Sequence, residues 1–227
     1  MKAMDRVGAF SGAAYVLLAN LGSTLVGEGS GGAGSPGQQI LDDQQRIADN
    51  PWTRVAFVVL IFACLSLIMF VGYLCSRVQN AGWFATTALV GGITAIMANL
   101  SSLSIVITVF VLREDLSPEV ARALVTLDGA GHLVQLLTLG VFALFASAAA
   151  LVTRTLGRVL GWAGIVIGAT SIGVLAANGL PASDELFLWP FLLVILWMLV
   201  ISLRLGFARS RTAAQPVRDP SPVDGVG

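Results

Sequence analysis

Apolar runs of transmembrane length, separated by short polar stretches, organise this chain. A helix crossing a hydrocarbon core of about 30 Å needs roughly 20 mostly apolar residues. Six windows qualify: 7–26, 55–75, 83–112, 133–152, 159–177 and 186–205. Backbone groups in hydrocarbon must bond internally, so each window is predicted helical; the runs are about twice too long for barrel strands and do not alternate. The predicted fold class is all-α: a polytopic membrane bundle of six transmembrane helices formed by residues 1–208, followed by a disordered tail over 209–227.

The third window would stretch roughly 45 Å as one helix, longer than the core is thick. It reads as one protruding, tilted helix rather than two spans broken at Gly91-Gly92. In the sixth window Pro190 marks either a helix start or a kink. The first window follows a basic Met1-Lys2 start, but its apolar stretch is about twice that of a signal peptide, so it reads as a retained anchor. Between windows, 27–37 is a Gly/Ser-rich mobile linker and 38–50 a short amphipathic surface helix ended by Pro51. Leu116-Ser117-Pro118-Glu119 reads as a helix start, with Ser as cap and Pro in the first position.

Composition sharpens this picture. Charged residues are 11% and hydrophobic residues 56% of the chain. A soluble domain carries about 25% charged residues, so an ordinary water-soluble enzyme is excluded, as is disorder over most of the length. Arg outnumbers Lys by 12 to 1, as GC-rich genomes produce. The zero net charge conceals an asymmetry. Six spans put both termini and two loops on one side, with Lys2, Arg6, Arg77, Arg154, Arg158, Arg204, Arg209, Arg211 and Arg218, nine of the 13 basic residues. The opposite side holds Arg46, Arg54, Arg113 and Arg122, together with all the acids except Asp5, Asp219 and Asp224. The positive-inside rule then places both termini in the cytoplasm of a cell (inner) membrane protein. Trp52, Trp83, Trp162 and Trp189 fall near predicted interfaces, where an indole N–H stays wet; Trp197 is mid-span.

Chemistry is sparse. Cys64 and Cys75 lie roughly 16 Å apart along one helix, too far to bridge and too few for zinc. No metal and no cofactor is expected. No His-Glu-x-x-His, Gly-x-Ser-x-Gly or phosphate-loop pattern occurs, and the chain reads as non-enzymatic before enzymatic. Small residues recur at helical spacing: Gly157, Gly161, Gly164, Gly168 and Ser171 in the fifth span, Thr87, Gly91, Thr94, Ala98, Ser101, Ile105 and Thr108 in the third, and Gly8, Gly12, Tyr15, Ala19 and Gly22 in the first. In lipid, helices associate by close approach, so these stripes read as packing seams, with Gly164 and Gly168 facing another helix. The rival for the third span, a water-lined path, is weakened because membrane hydroxyls often bond the preceding turn's carbonyl.

No strongly ionisable residue falls in the middle of a window, where proton-coupled transporters and voltage sensors place one. The mid-span amides Asn20 and Asn99 read first as interhelical glue. The remaining candidate is Asp128, His132 and Gln135, spaced four then three on one helical face; His132 is the only histidine. A carboxylate one turn away can hold the imidazole protonated, share its proton or help bind a cation. The plainer reading, which the sequence favours, is a polar opening to the fourth span with Asp128 near the helix start. A working site would need these side chains to point into the bundle and meet the outer ends of spans one and three, near Asn20 and Thr108.

Three segments together carry a resemblance. Arg6-Val7-Gly8 opens the first span, with Tyr15 inside it; Ala48-Asp49-Asn50-Pro51 leads into the second; Leu156-Gly157-Arg158-Val159-Leu160-Gly161-Trp162 forms a basic turn before a Gly-rich fifth span. Over roughly residues 6–207 the chain resembles a widespread bacterial family of six-helix integral membrane proteins catalogued as a domain of unknown function. The resemblance implies the fold and brings no activity or site residues; the Gly/Ser insertion at 29–37 looks longer than usual there.

Two function classes remain. The sequence favours a structural or regulatory membrane protein acting through helix packing or a partner. The alternative is a small permease or channel for an ion or small molecule, with a polar path between spans one, three and five. The lipid bilayer is the expected partner, nucleic acid is not, and a homo-oligomer or membrane partner stays open. A continuous polar cavity reaching mid-membrane would favour the permease.

Overall fold

A computed structural model describes residues 3–26, 35–178 and 184–208; the 27–34 part of the predicted linker and the tail lie outside them. The described chain is α-helical: α1 Ala3–Val26, α2 Gly37–Asp49, α3 Thr53–Arg77, α4 Trp83–Leu112, α5 Pro118–Val152, α6 Arg158–Asn178 and α7 Asp184–Ala208, with a short 3-10 turn at Gln79–Ala81. Among the described residues there is no strand. Six helices are long and apolar enough to cross a membrane, all except α2. The protein is the all-α polytopic bundle its hydropathy predicts.

Each spanning helix packs on the next in the order α1, α3, α4, α5, α6, α7, and α7 closes the ring on α1. Glycines set how closely the helices approach. A Cβ on Gly8 or Gly12 would lie 2.6 Å from the rings of Tyr73 and Phe70, so the α1 stripe is the seam with α3. On α6, Gly161 lies against Leu151, Gly164 against Ser147 and Trp197, and a Cβ on Gly168 would lie 2.5 Å from the Gly140 carbonyl oxygen. Gly164 and Gly168 thus face other helices. Between α1 and α7 the Ser202 hydroxyl donates to Ala9 O at 2.5 Å and accepts from Ala13 N at 2.9 Å. The outward face is apolar: Val58, Ile61, Phe62, Leu65, Ile68 and Met69 of α3 are exposed, as lipid contact requires.

Of the predicted α4 stripe Gly91 is buried against α5, but the hydroxyl positions are displaced by about one residue. Ala85, Ala88, Gly92, Ala95 and Ser102 are buried, whereas Thr94, Ser101 and Thr108 face outward. Thr94 and Thr108 donate to Val90 O and Ser104 O, each a turn back, which satisfies them without a partner helix. Small apolar alanines therefore form the seam that hydroxyls were expected to form. Gly157 likewise leaves the α6 stripe: it precedes α6 with φ 76°, making the tight turn that follows Arg154.

Two helix starts differ from expectation. The fourth spanning helix begins at Pro118, not near residue 133, and runs 35 residues. Ser117 Oγ accepts from Val120 N at 3.4 Å, the cap read from the sequence. The polar segment after it stays helical because α2 packs along it, with Gly37 pressed against the Pro118 backbone. Asp128 consequently sits well inside a helix, beyond reach of the terminal dipole. In α7, Pro190 lies inside a helix that already begins at Asp184, so it does not open that helix.

The half of the bundle near the chain termini is closed. Phe70, Phe142 and Trp197 pack edge to face, with centroids 6.3 and 6.2 Å apart, and fill its centre. Trp197, the one mid-span indole, is buried there and donates to Leu160 O at 3.4 Å.

Candidate functional site: a cavity reaching the bundle centre

The other half of the ring encloses a cavity of about 430 Å³, within the range of small-molecule sites. Its walls come from α1, α3, α4, α5 and α7; among the described residues α6, the fifth span, contributes nothing to them. The predicted path between spans one, three and five is corrected to this extent. Gly-rich α6 lies too close to α5 to leave a space beside it.

The register of the helices sets the depth. Lining residues fall in the C-terminal halves of α1 and α4 and the N-terminal halves of α3 and α7. In an antiparallel ring these are the same end, the one carrying α2. From there the cavity descends to Tyr15, Cys64 and Asn99, each within two residues of the centre of α1, α3 and α4. From Val26 to Tyr15 it follows α1 for roughly 16 Å. Below it the centre is occupied by Leu67, Leu139 and the Phe70–Phe142–Trp197 stack, all buried.

Four of the five predicted polar residues, Asn20, Asn99, His132 and Gln135, line this one cavity. The fifth, Asp128, lies beside it: Ser102, which does line it, donates its hydroxyl to Asp128 Oδ1 in a very short contact. His132 Nδ1 is 2.9 Å from the Asp128 backbone oxygen and 3.7 Å from Asp128 Oδ2. The cluster thus meets span three at Ser102 and not at Thr108, which is exposed and bonded within its own helix. Asn20 Nδ2 donates to Val16 O at 2.7 Å, and Cys64 Sγ donates to Asn99 Oδ1 at 3.1 Å. Gln135 is 3% exposed, and among the described residues its side-chain amide has no hydrogen-bond partner.

Reading the sequence missed Ser102 and Cys64 as members of the site and placed Tyr15 only in a packing stripe. Ser102 carried a usable signal, since it lies one turn after Asn99 on the same face of α4. Tyr15 and Cys64 carried none, because tyrosine and cysteine fill helix interfaces as readily as they line cavities.

The surface helix α2 crosses the cavity end of the bundle. Ile40 is buried beneath it, and Gln45 Oε1 accepts from Arg113 Nε at 3.1 Å. Its exit is fixed by Asn50 Nδ2 donating to Leu25 O at 2.9 Å and Thr53 Oγ1 donating to Ile47 O at 2.5 Å. Among the described residues no group of three or more His, Cys, Asp or Glu is placed to hold a metal ion.

Fold and cavity define a class: a multi-pass membrane protein of six apolar helices, five of which wall a cavity with both apolar and polar lining. No family model, curated protein or solved structure matches the chain.

Proposed function

We propose that this protein is a small permease that admits a solute from one side of the membrane into the cavity. One observation carries the reading: a cavity lined by the amides of Asn20, Asn99 and Gln135 among apolar side chains descends to the centre of the bundle and stops at the packed aromatic stack. A bundle needed only for packing gains nothing from amides left facing a mid-membrane space, where unpaired polar groups are costly. The α1 and α6 seams are also occupied within the chain, against α3 and α5, so they are not free for a partner.

The test is chemical accessibility. With both native cysteines replaced by alanine, Asn99→Cys should react with N-ethylmaleimide at a rate near that of an exposed thiol. Met198→Cys, in the closed half, should not react. An unreactive Asn99→Cys in a folded protein would end the permease reading.

The structural or regulatory role keeps one observation in its favour. Thr94, Ser101 and Thr108 face outward along α4, as a partner helix would require.

The charge asymmetry supports an orientation with termini in the cytoplasm and the cavity opening outside it. Reporter fusions after residue 208 and at Gly34 should report opposite sides, the tail cytoplasmic. A tail reporter active only outside the cytoplasm would reverse the direction of access. The resemblance to the six-helix family of unknown function supports a bacterial inner-membrane setting and adds no activity.

A further inference from the structure

The lining of the cavity specifies its ligand. Gln135 is 3% exposed and its amide is aimed into the space with no protein partner among the described residues, so both its donor and its acceptor are available to a ligand. The two asparagines are each half used. Asn99 accepts the Cys64 thiol on Oδ1 and keeps its N–H groups; Asn20 donates one N–H to Val16 O and keeps Oδ1. The unfilled capacity therefore has both signs, and a molecule that only donates or only accepts would leave part of it unpaired.

Charge is absent where it would be needed for an ion. Among the described residues no Lys, Arg, Asp or Glu lines the cavity. His132 is the one ionisable nitrogen at the described wall, and the Asp128 carboxylate lies outside the lining, roughly 10 Å along α5 from Gln135, with Ser102 bonded to one of its oxygens. An ion at the depth of Gln135 would lose its hydration without an adjacent counter-charge. The remaining lining is apolar: Phe57, Leu60, Leu103, Val106, Phe191 and Ile195. These side chains suit a hydrocarbon portion and offer nothing to a sugar or another molecule polar all round.

We propose that the ligand is an uncharged amphipathic small molecule whose head bears both a hydrogen-bond donor and an acceptor, of the primary-amide type, bound through the Gln135 side chain with its apolar portion against the Phe57 and Phe191 walls. The proposal rests on the reading that the cavity admits a solute.

The experiment compares three six-carbon probes, hexanamide, hexanoate and hexylammonium, by their dose-dependent thermal stabilisation of the purified full-length protein, since a ligand of the native state raises its melting temperature. Hexanamide should bind tightest, and Gln135→Leu should weaken it about tenfold, the equivalent of one good polar contact. Gln135→Met, of similar length, serves if the leucine variant does not fold. Hexanoate or hexylammonium binding more tightly than hexanamide overturns the neutral class. Equal hexanamide affinity in the Gln135 variants overturns the role of that residue. No stabilisation by any probe, in a protein whose Asn99→Cys variant is labelled by N-ethylmaleimide, overturns the ligand class while the open cavity stands. Failure of that labelling is what overturns the cavity reading.

Discussion

Gly168→Ala should destabilise the protein by about 1–3 kcal/mol, the usual cost of overpacking, while Gly173→Ala, five residues further along α6, should stabilise it by about 0.5–1 kcal/mol. The substitution is the same and the helix is the same; only the surroundings differ. A Cβ at Gly168 would lie 2.5 Å from Gly140 O and 2.7 Å from Leu144 N, both backbone atoms of α5 that no side-chain rotation can move. The two helices would have to part along their shared seam. A Cβ at Gly173 meets nothing within 4 Å, so alanine there only removes backbone freedom from the unfolded chain. Thermal unfolding in one detergent measures both variants. A Gly168→Ala protein as stable as wild type would show that α6 can shift off α5, and that the seam does not fix the ring.

The second large effect concerns the closed half. Phe142→Ala should cost about 3–5 kcal/mol, as aromatic truncation in a packed core does. Phe142 is 0% exposed, contacts Phe70 and Trp197 edge to face, and lies against Gly92 of α4. It ties α5 to three other helices, α3, α4 and α7, at the point where the cavity ends. Removing the ring should also lengthen the cavity toward the opposite face, so proteoliposomes carrying Phe142→Ala should pass water faster than wild type in an osmotic stopped-flow measurement. Phe142→Leu, which keeps most of the volume, should fall between the two. Water permeability unchanged from wild type in a folded Phe142→Ala protein would place the barrier elsewhere in the stack.

Much of this protein is determined by its hydrophobic pattern alone. Length and apolarity fix the number of spans, because a hydrocarbon core accepts only internally bonded helices of about 20 residues. The continuity of α4 through Gly91-Gly92 and the start of α5 at Ser117-Pro118 follow from local rules of helix length and capping. The glycine seams of α1 and α6 were legible for the same reason: regular spacing puts small residues on one face, and in lipid that face must meet a helix. The α4 seam was read correctly at Gly91 and misread at Thr94, Ser101 and Thr108, because threonine and serine are small as well as polar and either face of that helix satisfied the spacing rule. What faces what was decided when the helices closed into a ring.

The site divides along the same line. The sequence picked out Asn20, Asn99, Asp128, His132 and Gln135 as the polar residues that the membrane would not leave unexplained, but periodicity within one helix cannot relate five residues on three helices. Only the antiparallel register brings Asn99 of α4, Gln135 of α5 and Asn20 of α1 to one space, hands Asp128 to Ser102 rather than Thr108, and leaves α6 out. The cavity itself is invisible in the sequence. The Phe70–Phe142–Trp197 stack fills one half of the ring, and the side chains of the other half leave a space between α1, α3, α4, α5 and α7. Local sequence rules set each helix; the volume between helices is a property of how their side chains pack, and that is fixed only in three dimensions.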